Sequence, residues 1–333
     1  MGNELSDLFV TNTKIEINTI NGLNRTMKPD LFHLNLSNAL NALRRRDYSA
    51  LELTEACLRR IAQLNPIYNA FITPTPEQAV INAMQADVII NSPSFNLGAP
   101  ALLGVPLGLK DLIAMAGVPT TAGSKFFADS LPVVDAPVVS KLIQSGGVIL
   151  GKTNLHEIAL GVTGVNPHYG TVRNPWDISR ISGGSSSGSA AAVLLGMCLA
   201  AVGTDTGGSI RIPASLCGVV GLKPTYGRVS ASGVIPLSWN LDTVGPITRT
   251  VQDAAWMLSV MAGYDPLDPA SANIPIDNYL ADLDGGISGW RRMRGCITSR
   301  KICGRMCKRP IRSRRKFHRL QMIWRWIWPL VSR

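Results

Sequence analysis

From Gly104 onward, short apolar segments alternate with glycine-rich loops, and this pattern constrains the fold more than any other feature of the sequence. GVPLGLKD begins at Gly104 and SGGVILGKT begins at Ser145. Apolar runs of about five residues bounded by glycine are typical of buried strands. Helical segments are predicted between them, including Val138 to Gln144 and Ala190 to Ala201. Strands that alternate with helices predict an α/β sheet protein.

The first third of the chain shows a different pattern. Residues 1–33 form a polar N-terminal extension, and three helices are predicted within residues 34–90. The first carries leucines at helical spacing, the second begins after Ser49 as its cap and ends at Pro66, and the third covers Pro76 to Asp87. The leucines of the first helix are Leu34, Leu36, Leu40 and Leu43.

The segment Gly108-Leu109-Lys110-Asp111 places a lysine directly after an apolar strand. If the strand draws Lys110 into the interior, burial lowers its pKa, and a neutral lysine can act as a general base. The alternative is an ordinary strand-end cation with Asp111 as its solvated partner. Taken alone, the segment leaves both interpretations open.

Two further segments place serines among glycines. GTDTGGSIRIP covers residues 203–213, and its Gly207 and Gly208 leave the backbone before Ser209 unobstructed. Consecutive amide N–H groups there could converge on one oxygen, as an oxyanion hole requires. GGSSSGS, residues 183–189, is by itself equally typical of a flexible loop or a phosphate-binding turn.

A serine nucleophile needs a neighbouring base, and the sequence offers no convincing histidine for that role. The four histidines are His33, His156, His168 and His318. A serine with a lysine base, linked through a second serine, uses the residues that are present.

In combination, these segments resemble the amidase signature family over residues 104 to about 289. The resemblance is carried by GVPLGLKD, by the stretch from Gly183 to Ser230 and by SWNLDTVGPITRTVQDAA from Ser238. It implies that Ser209 is the nucleophile, Lys110 the base and Ser185 the bridging serine, entered through a cis peptide.

The same resemblance implies roles for the loop around the nucleophile. The oxyanion would be held by the backbone amides of Thr206, Gly207, Gly208 and Ser209. Ser187, Asp205 and Arg211 would support that loop, although a purely structural salt bridge between Asp205 and Arg211 predicts much the same sequence. Trp239 and the residues near His168 and Tyr169 would flank the acyl pocket, or they could be core aromatics.

The fold implied by the resemblance is the α/β amidase-signature fold, a mixed, twisted sheet sandwiched by helices, with residues 104–289 as its catalytic core. The implied activity is hydrolysis of a carboxylic amide through a seryl ester. The alternative is the glutaminase subunit of the tRNA-dependent amidotransferase. NLHEIALGVTGVNPHYG, residues 154–170, and IPLSWNLD, residues 235–242, favour a stand-alone amidase. No cofactor and no metal are expected.

Charge separates the last 44 residues from the rest. Residues 290–333 contain 12 Arg and 3 Lys but no Asp or Glu, whereas the whole chain has 33 basic and 22 acidic residues, so residues 1–289 carry a net charge of −4. An excess of Arg, Trp and Cys that begins abruptly is typical of a shifted reading frame. We interpret 290–333 as an aberrant tail of that origin and expect the amidase fold to be incomplete at its C-terminal end. An inactive remnant is then a third functional alternative.

Other interpretations of residues 290–333 are a nucleic-acid arm, a membrane-surface segment and a zinc site. The zinc site would use Cys296, Cys303, Cys307 and His318, but paired CxxC spacing is missing. We expect contact with neither nucleic acid nor membrane through this segment.

The other three cysteines, Cys57, Cys198 and Cys217, are widely spaced in apolar surroundings, which suits reduced thiols in a cytoplasmic protein. The expected partner is a small-molecule amide substrate, and a homodimer is left open.

Overall fold

The computed structural model describes residues 33–93, 95, 99–281 and 283 of the 333-residue chain. The predicted extension over 1–33, apart from His33, and the predicted aberrant tail over 290–333 lie outside the described residues and stay predictions.

Three helices open the described part of the chain, as predicted. They are α1 (Leu36–Arg45), α2 (Ala50–Tyr68) and α3 (Pro76–Ile90). Ser49 caps α2 in a reciprocal capping box with Glu52. The Asp87 carboxylate of α3 accepts hydrogen bonds from the first two amides of α2, at 2.6 and 3.0 Å. Donors at a helix start have no partner within the helix, so this contact ties α2 to α3.

The predicted end of α2 at Pro66 is wrong. Pro66 lies within the last turn, and the helix continues to Tyr68, where Asn69 adopts a left-handed conformation. A proline so close to the end interrupts only the final hydrogen bonds of the ladder. Asn65 stabilises the exit, because its side chain exchanges two hydrogen bonds with the backbone of Phe71.

The central element is a mixed sheet of six strands within the described residues, in the order β1-β3-β2-β6-β8-β7. The pairs β3–β2 and β2–β6 are parallel, whereas β1–β3, β6–β8 and β8–β7 are antiparallel. Two further strands, β4 and β5, pair in a separate hairpin. The strands are β1 (Phe71–Pro74), β2 (Pro106–Lys110), β3 (Val148–Thr153), β4 (Arg173–Asn174), β5 (Asp177–Ile181), β6 (Ala200–Asp205), β7 (Val220–Gly221) and β8 (Thr243–Thr248).

Helices pack against this sheet and bury its central strands. The later helices are α4 (Pro137–Gln144), α5 (Ser187–Leu194), α6 (Arg211–Cys217) and α7 (Val251–Met261). α5 contacts β2, β3, β6 and β8, while α3 packs on β3 and α7 on β8. Every residue of β2, β3, β6 and β8 is buried. The predicted α/β architecture with a mixed sheet is confirmed.

The predicted helix over Ala190 to Ala201 is wrong in its second half. α5 ends at Leu194, Gly196 adopts a φ of +67°, and β6 begins at Ala200. One apolar run therefore serves a helix, a turn and a strand. The glycine supplies the positive φ of that turn, which other residues adopt only with strain.

The topology brings two loops together. Lys110 ends β2 and Asp205 ends β6, and these neighbouring strands are parallel. Their carboxyl ends consequently lie at the same edge of the sheet, where α/β proteins commonly bind ligands.

Candidate active site

Lys110 is fully buried at the end of β2. Its Nζ lies 2.7 Å from Ser185 Oγ and 2.8 Å from Thr204 Oγ1. Burial lowers the pKa of Lys110 to about 7, because desolvation penalises the ammonium form more than the nearby Asp205 and Asp242 carboxylates favour it. Near neutral pH a substantial fraction of this lysine is therefore uncharged and able to accept a proton.

Asp111 is not the solvated partner of Lys110, so that alternative is wrong. The Asp111 carboxylate is fully buried and lies 3.1 Å from Lys152 Nζ on β3. It also accepts hydrogen bonds from the amide and the hydroxyl of Thr121. Successive side chains of a strand point to opposite faces, so Lys110 and Asp111 belong to different sets of contacts. Burial raises the pKa of Asp111 and lowers that of Lys152.

Ser185 is also fully buried, and the Gly184–Ser185 peptide is cis, as the family resemblance implies. Its carbonyl accepts a hydrogen bond from the His156 amide at 3.2 Å. A Cβ atom on Gly184 would lie 2.8 Å from the Gly164 nitrogen, so a larger residue would force the backbone apart. Glycine at this position therefore permits the close approach that places Ser185 against Lys110.

Ser209 lies at the turn between β6 and α6 and is 6% exposed. Its carbonyl accepts a hydrogen bond from the Ser186 amide at 3.0 Å, which joins the two serine segments through the backbone. Among the hydrogen bonds of the described residues, none joins Ser185 Oγ to Ser209 Oγ. The structure thus brings the Lys110–Ser185 pair into contact and places Ser209 beside it without a direct side-chain link.

The loop before Ser209 has the form expected of an oxyanion hole. A Cβ atom on Gly207 would meet no atom within 4 Å, whereas Gly208 adopts a φ of +141°. In the described part of the chain, the N–H groups of Gly207, Gly208 and Ser209 have no hydrogen-bond acceptor. Donors that the fold leaves unpaired, beside an open space, are able to bind a developing negative charge. We call residues 206–209 the oxyanion loop.

Asp205 and Arg211 form an ion pair that flanks the oxyanion loop. Arg211 donates two hydrogen bonds to the buried Asp205 carboxylate, at 2.9 and 2.8 Å, and the Ile210 amide donates another at 3.2 Å. Burial alone would raise the pKa of Asp205, but these hydrogen bonds outweigh it and lower the pKa. Ser187, at the start of α5, is buried with its Oγ 3.5 Å from the Ser185 carbonyl oxygen.

Two polar contacts at the site were not predicted from the sequence. Thr204 Oγ1 accepts the second hydrogen bond of Lys110, and Thr206 Oγ1 donates to Asp242 Oδ1 at 2.5 Å. Thr204 belongs to the GTDTGGS motif, but the motif alone does not predict which side chain Thr204 contacts. Asp242 directly precedes β8 and belongs to the SWNLDTVGP segment, but that segment does not reveal that its partner is Thr206.

His156 approaches the site through its backbone rather than its ring. Its Nδ1 lies 3.2 Å from Thr163 Oγ1, and burial together with the Lys110 charge lowers its pKa against the effect of Glu157. Within the described residues, its ring makes no hydrogen bond to Ser185 or Ser209.

A cavity of about 600 Å³ has Asp242 in its lining, and Asp242 accepts the hydrogen bond from Thr206 of the oxyanion loop. Lys110, Ser185 and the oxyanion loop are not among its lining residues. Tyr226, Trp239, Asp242 and Asp268 are among its lining residues, and the role of Trp239 at an acyl pocket stays a prediction. His168 and Tyr169 do not line it. His168 Nε2 lies 3.0 Å from Glu157 Oε1, and the Tyr169 carbonyl accepts from Asn69.

The described segments contain no helix with the length and apolar character needed to cross a membrane. Cys57, Cys198 and Cys217 are buried free thiols.

Comparisons with known proteins identify the family of the chain. The Amidase family model matches residues 52–285. A glutamyl-tRNA(Gln) amidotransferase subunit from Geobacter sp. (strain M21) is 47% identical over 262 residues, which cover 79% of this chain and 53% of the relative.

Solved structures give the same result. Native peptide amidase from Stenotrophomonas maltophilia is 40% identical with a TM-score of 0.68, over 74% of this chain and 51% of that one. A chain from a vestigial protein complex, described for the evolutionary origins of an s-triazine catabolic enzyme, is 39% identical with a TM-score of 0.75, over 78% and 56%. The chain thus spans about half the length of the relatives it matches. On the extent of the family match and on these identities, the chain belongs to the amidase family.

Proposed function

We propose that this chain hydrolyses a carboxylic amide through an acyl-enzyme formed on Ser209. The observation that carries the proposal is the buried contact of 2.7 Å between Lys110 Nζ and Ser185 Oγ. A lysine whose pKa lies near 7 can take a proton from a serine hydroxyl, and no other side chain in this contact can act as a base.

The proposed reaction begins with two proton transfers. Neutral Lys110 accepts the hydroxyl proton of Ser185 as Ser185 accepts that of Ser209. Ser209 Oγ then bonds to the amide carbon, and the carbonyl π electrons move to its oxygen. The resulting oxyanion is bound by the backbone N–H groups of the oxyanion loop, with those of Gly207 and Gly208 facing the open space.

Collapse of this intermediate breaks the carbon–nitrogen bond. The leaving nitrogen receives its proton from Lys110 through Ser185, so that ammonia or an amine departs. Water then adds to the ester carbonyl and gives one proton to the same relay. The relay returns this proton to Ser209 Oγ as the Ser209–acyl bond breaks and the carboxylic acid is released. The relay requires Ser185 Oγ and Ser209 Oγ to come within hydrogen-bond distance, a contact that often tightens only when substrate is bound.

The two serine segments are suited to such an approach because they are already joined. Ser186 follows the bridging serine and donates its amide to the Ser209 carbonyl, while its hydroxyl exchanges hydrogen bonds with the Thr204 backbone. A rotation of the Ser209 side chain toward Ser185 would leave these hydrogen bonds in place.

A second candidate function is the glutaminase subunit of a tRNA-dependent amidotransferase. The observation in its favour is that curated relatives at 45–48% identity carry the name of a glutamyl-tRNA(Gln) amidotransferase subunit. The loops at 154–170 and 235–242 favour the stand-alone amidase, and solved relatives of that kind are 40% identical. The two functions share the hydrolytic step and differ in where the ammonia goes.

The substrate class that we propose is a small-molecule amide, and we place the protein in the cytoplasm on the support of its buried reduced cysteines. The homodimer stays a prediction, as does the shifted reading frame at residue 290. Translation of the other two frames downstream of the Gly289 codon would test the latter, since an amidase-like continuation is expected in one of them.

Release of ammonia by the purified full chain tests the proposed function. The substrates are a panel of simple aliphatic and aromatic amides and free glutamine, with Ser209→Ala as the matched control. Ammonia release that is lost in S209A is the expected result. Turnover of glutamine alone would favour the amidotransferase function, whereas equal release by wild type and S209A would support an inactive remnant and contradict the proposal.

A further inference from the structure

Thr206 and Asp242 face each other across the ends of two paired strands. β6 and β8 are antiparallel, and Asp205 pairs with Thr243 in the last registered position. One residue further along, the Thr206 hydroxyl donates to Asp242 Oδ1 at 2.5 Å. The register of the sheet therefore sets this contact, which reaches from the oxyanion loop to a neighbouring segment.

The second oxygen of Asp242 holds that neighbouring segment. Asp242 Oδ2 accepts hydrogen bonds from the amides of Leu237 at 2.7 Å and Ser238 at 3.0 Å. We call residues 236–242 the wall loop, because Pro236, Trp239, Asn240 and Asp242 line the cavity of about 600 Å³. The Tyr226 hydroxyl also donates to the Trp239 carbonyl at 2.7 Å.

We propose that Asp242 is a positioning residue that couples the wall loop to the oxyanion loop, so that a substrate seated against Trp239 also fixes the donors that bind the oxyanion. This inference rests on the proposed amide hydrolysis. Asp242 itself touches no reacting atom in this scheme. It acts through the Thr206 hydroxyl on one side and the two wall-loop amides on the other.

The geometry favours coupling of the wall loop to the oxyanion loop over two independent sets of hydrogen bonds. Both oxygens of one carboxylate are used, one for each loop, so neither loop can shift without changing the position of the other's anchor. Hydrogen bonds to an ionised acceptor are also stronger than those between neutral groups. Trp239 is 81% exposed and belongs to the loop that Asp242 anchors. A ligand that contacts Trp239 in the cavity can therefore shift the wall loop and, through Asp242, the oxyanion loop.

The Asp242 charge adds a second, separable effect. With Asp205 it opposes the burial that lowers the pKa of Lys110, and His156 also interacts with this lysine. The Asp111–Lys152 pair contributes charges of opposite sign, directly after β2 and on β3. Removing the Asp242 charge is therefore expected to lower the pKa of Lys110 further.

Four variants of the full chain separate these effects. Asp242→Asn removes the charge and leaves an amide that can serve only one of the two loops as acceptor. Thr206→Val removes the hydroxyl but keeps the carboxylate, and Thr206→Ser restores the hydroxyl. Asp87→Asn is the matched control, because both oxygens of the Asp87 carboxylate also accept from backbone amides, those of Ala50 and Leu51, and Asp87 does not line the cavity.

In amide hydrolysis, D242N and T206V are expected to lower kcat by about tenfold, less than the loss of an oxyanion donor itself, which costs about 10²–10³. The acid limb of the pH profile moves to lower pH in D242N only, and T206S recovers most of kcat. D87N keeps the wild-type kcat and profile. If D242N and D87N lose activity equally with the same pH profile, Asp242 has only a structural role and the proposal is wrong.

Hydrogen exchange tests the coupling without turnover. In T206V, the amides of Leu237 and Ser238 keep their acceptor, so faster exchange that is confined to these amides indicates a displaced Asp242. That acceleration is expected in T206V and not in D87N. Unchanged exchange in T206V overturns the coupling whether or not the chain is active. If the wild type releases no ammonia but the acceleration is seen, the proposed function fails and the coupling stands.

Discussion

The Nζ atom of Lys110 and the Oγ atom of Ser185 lie 2.7 Å apart, and both side chains are fully buried. Such a contact would be costly for an ammonium ion, because a buried charge loses its hydration. It is inexpensive for a neutral amine, which still donates to Thr204 at 2.8 Å. The fold therefore creates a base by removing water from it, without a histidine.

The first prediction concerns the pH dependence of turnover. The pKa of Lys110 is lowered to about 7, and only its neutral form can accept the Ser185 proton. We expect kcat/KM to rise with pH through about 7 and to level off above it. Rate measurements from pH 5.5 to 9 with a neutral amide check this. A profile that keeps rising toward pH 10 would show that Lys110 retains the pKa of an exposed lysine.

The second prediction concerns stability. Between pH 7 and 10.5 the unfolded chain binds a proton on Lys110 that the folded chain has released, so the Lys110 contribution to the free energy of unfolding increases with pH in this window. Lys110→Met keeps the apolar stem and has no such proton. Urea denaturation at pH 7 and pH 9.5 is therefore expected to show that the free energy of unfolding increases more with pH for the wild type than for K110M. Parallel gains would contradict the shifted pKa.

The sequence predicts the sheet well where composition and burial agree. β2 and β3 lie within the segments GVPLGLKD and SGGVILGKT, where the sequence predicts short buried strands. The strand alone left open whether Lys110 is buried, and the structure shows that it is. The predicted helix over Ala190 to Ala201 is wrong because alanine and valine suit both a buried helix and a buried strand. Only the backbone at Gly196 decides where one ends.

Pairings between distant segments could not be predicted. Asp111 pairs with Lys152 because β2 and β3 are neighbours. Asp242 contacts Thr206 because the β6–β8 register places these two residues opposite each other. A single sequence fixes which side chains share a strand face, but it does not fix which strands lie side by side. The proposed nucleophile and base follow from the family resemblance, whereas the contacts around them required the structure.

The third prediction tests Thr204, one of the contacts that the sequence did not reveal. Thr204→Val is nearly isosteric and removes only the oxygen that accepts from Lys110. We expect kcat to fall by roughly 10–100-fold, because an amine without this partner is free to turn away from Ser185 and an unmade buried hydrogen bond costs about 1–3 kcal/mol. The acid limb of the pH profile should also move to lower pH, since the ammonium form loses an acceptor.

Thr204→Ser is the matched control for this variant and should retain most of the wild-type activity, since it keeps the hydroxyl. Steady-state kinetics of the three proteins check the prediction. Equal losses in T204V and T204S would mean that packing of the methyl group, rather than the hydrogen bond, is what matters at this position.

The last prediction concerns the buried ion pair. Lys152→Met leaves the Asp111 carboxylate buried without its cation, and breaking such a pair typically costs about 3–5 kcal/mol. Asp111 would respond by taking up a proton, so the loss should be largest at high pH and smaller in acid, as its raised pKa indicates. Replacing both partners, in Asp111→Asn with Lys152→Met, should recover part of the stability.

Glu55→Gln is the control, because it breaks an exposed pair with Arg59 and should cost less than about 1 kcal/mol. Urea denaturation of the wild type, K152M, the double variant and E55Q at pH 6 and 8 checks these expectations. A K152M protein as stable as E55Q would show that the Asp111–Lys152 contact contributes little to the fold.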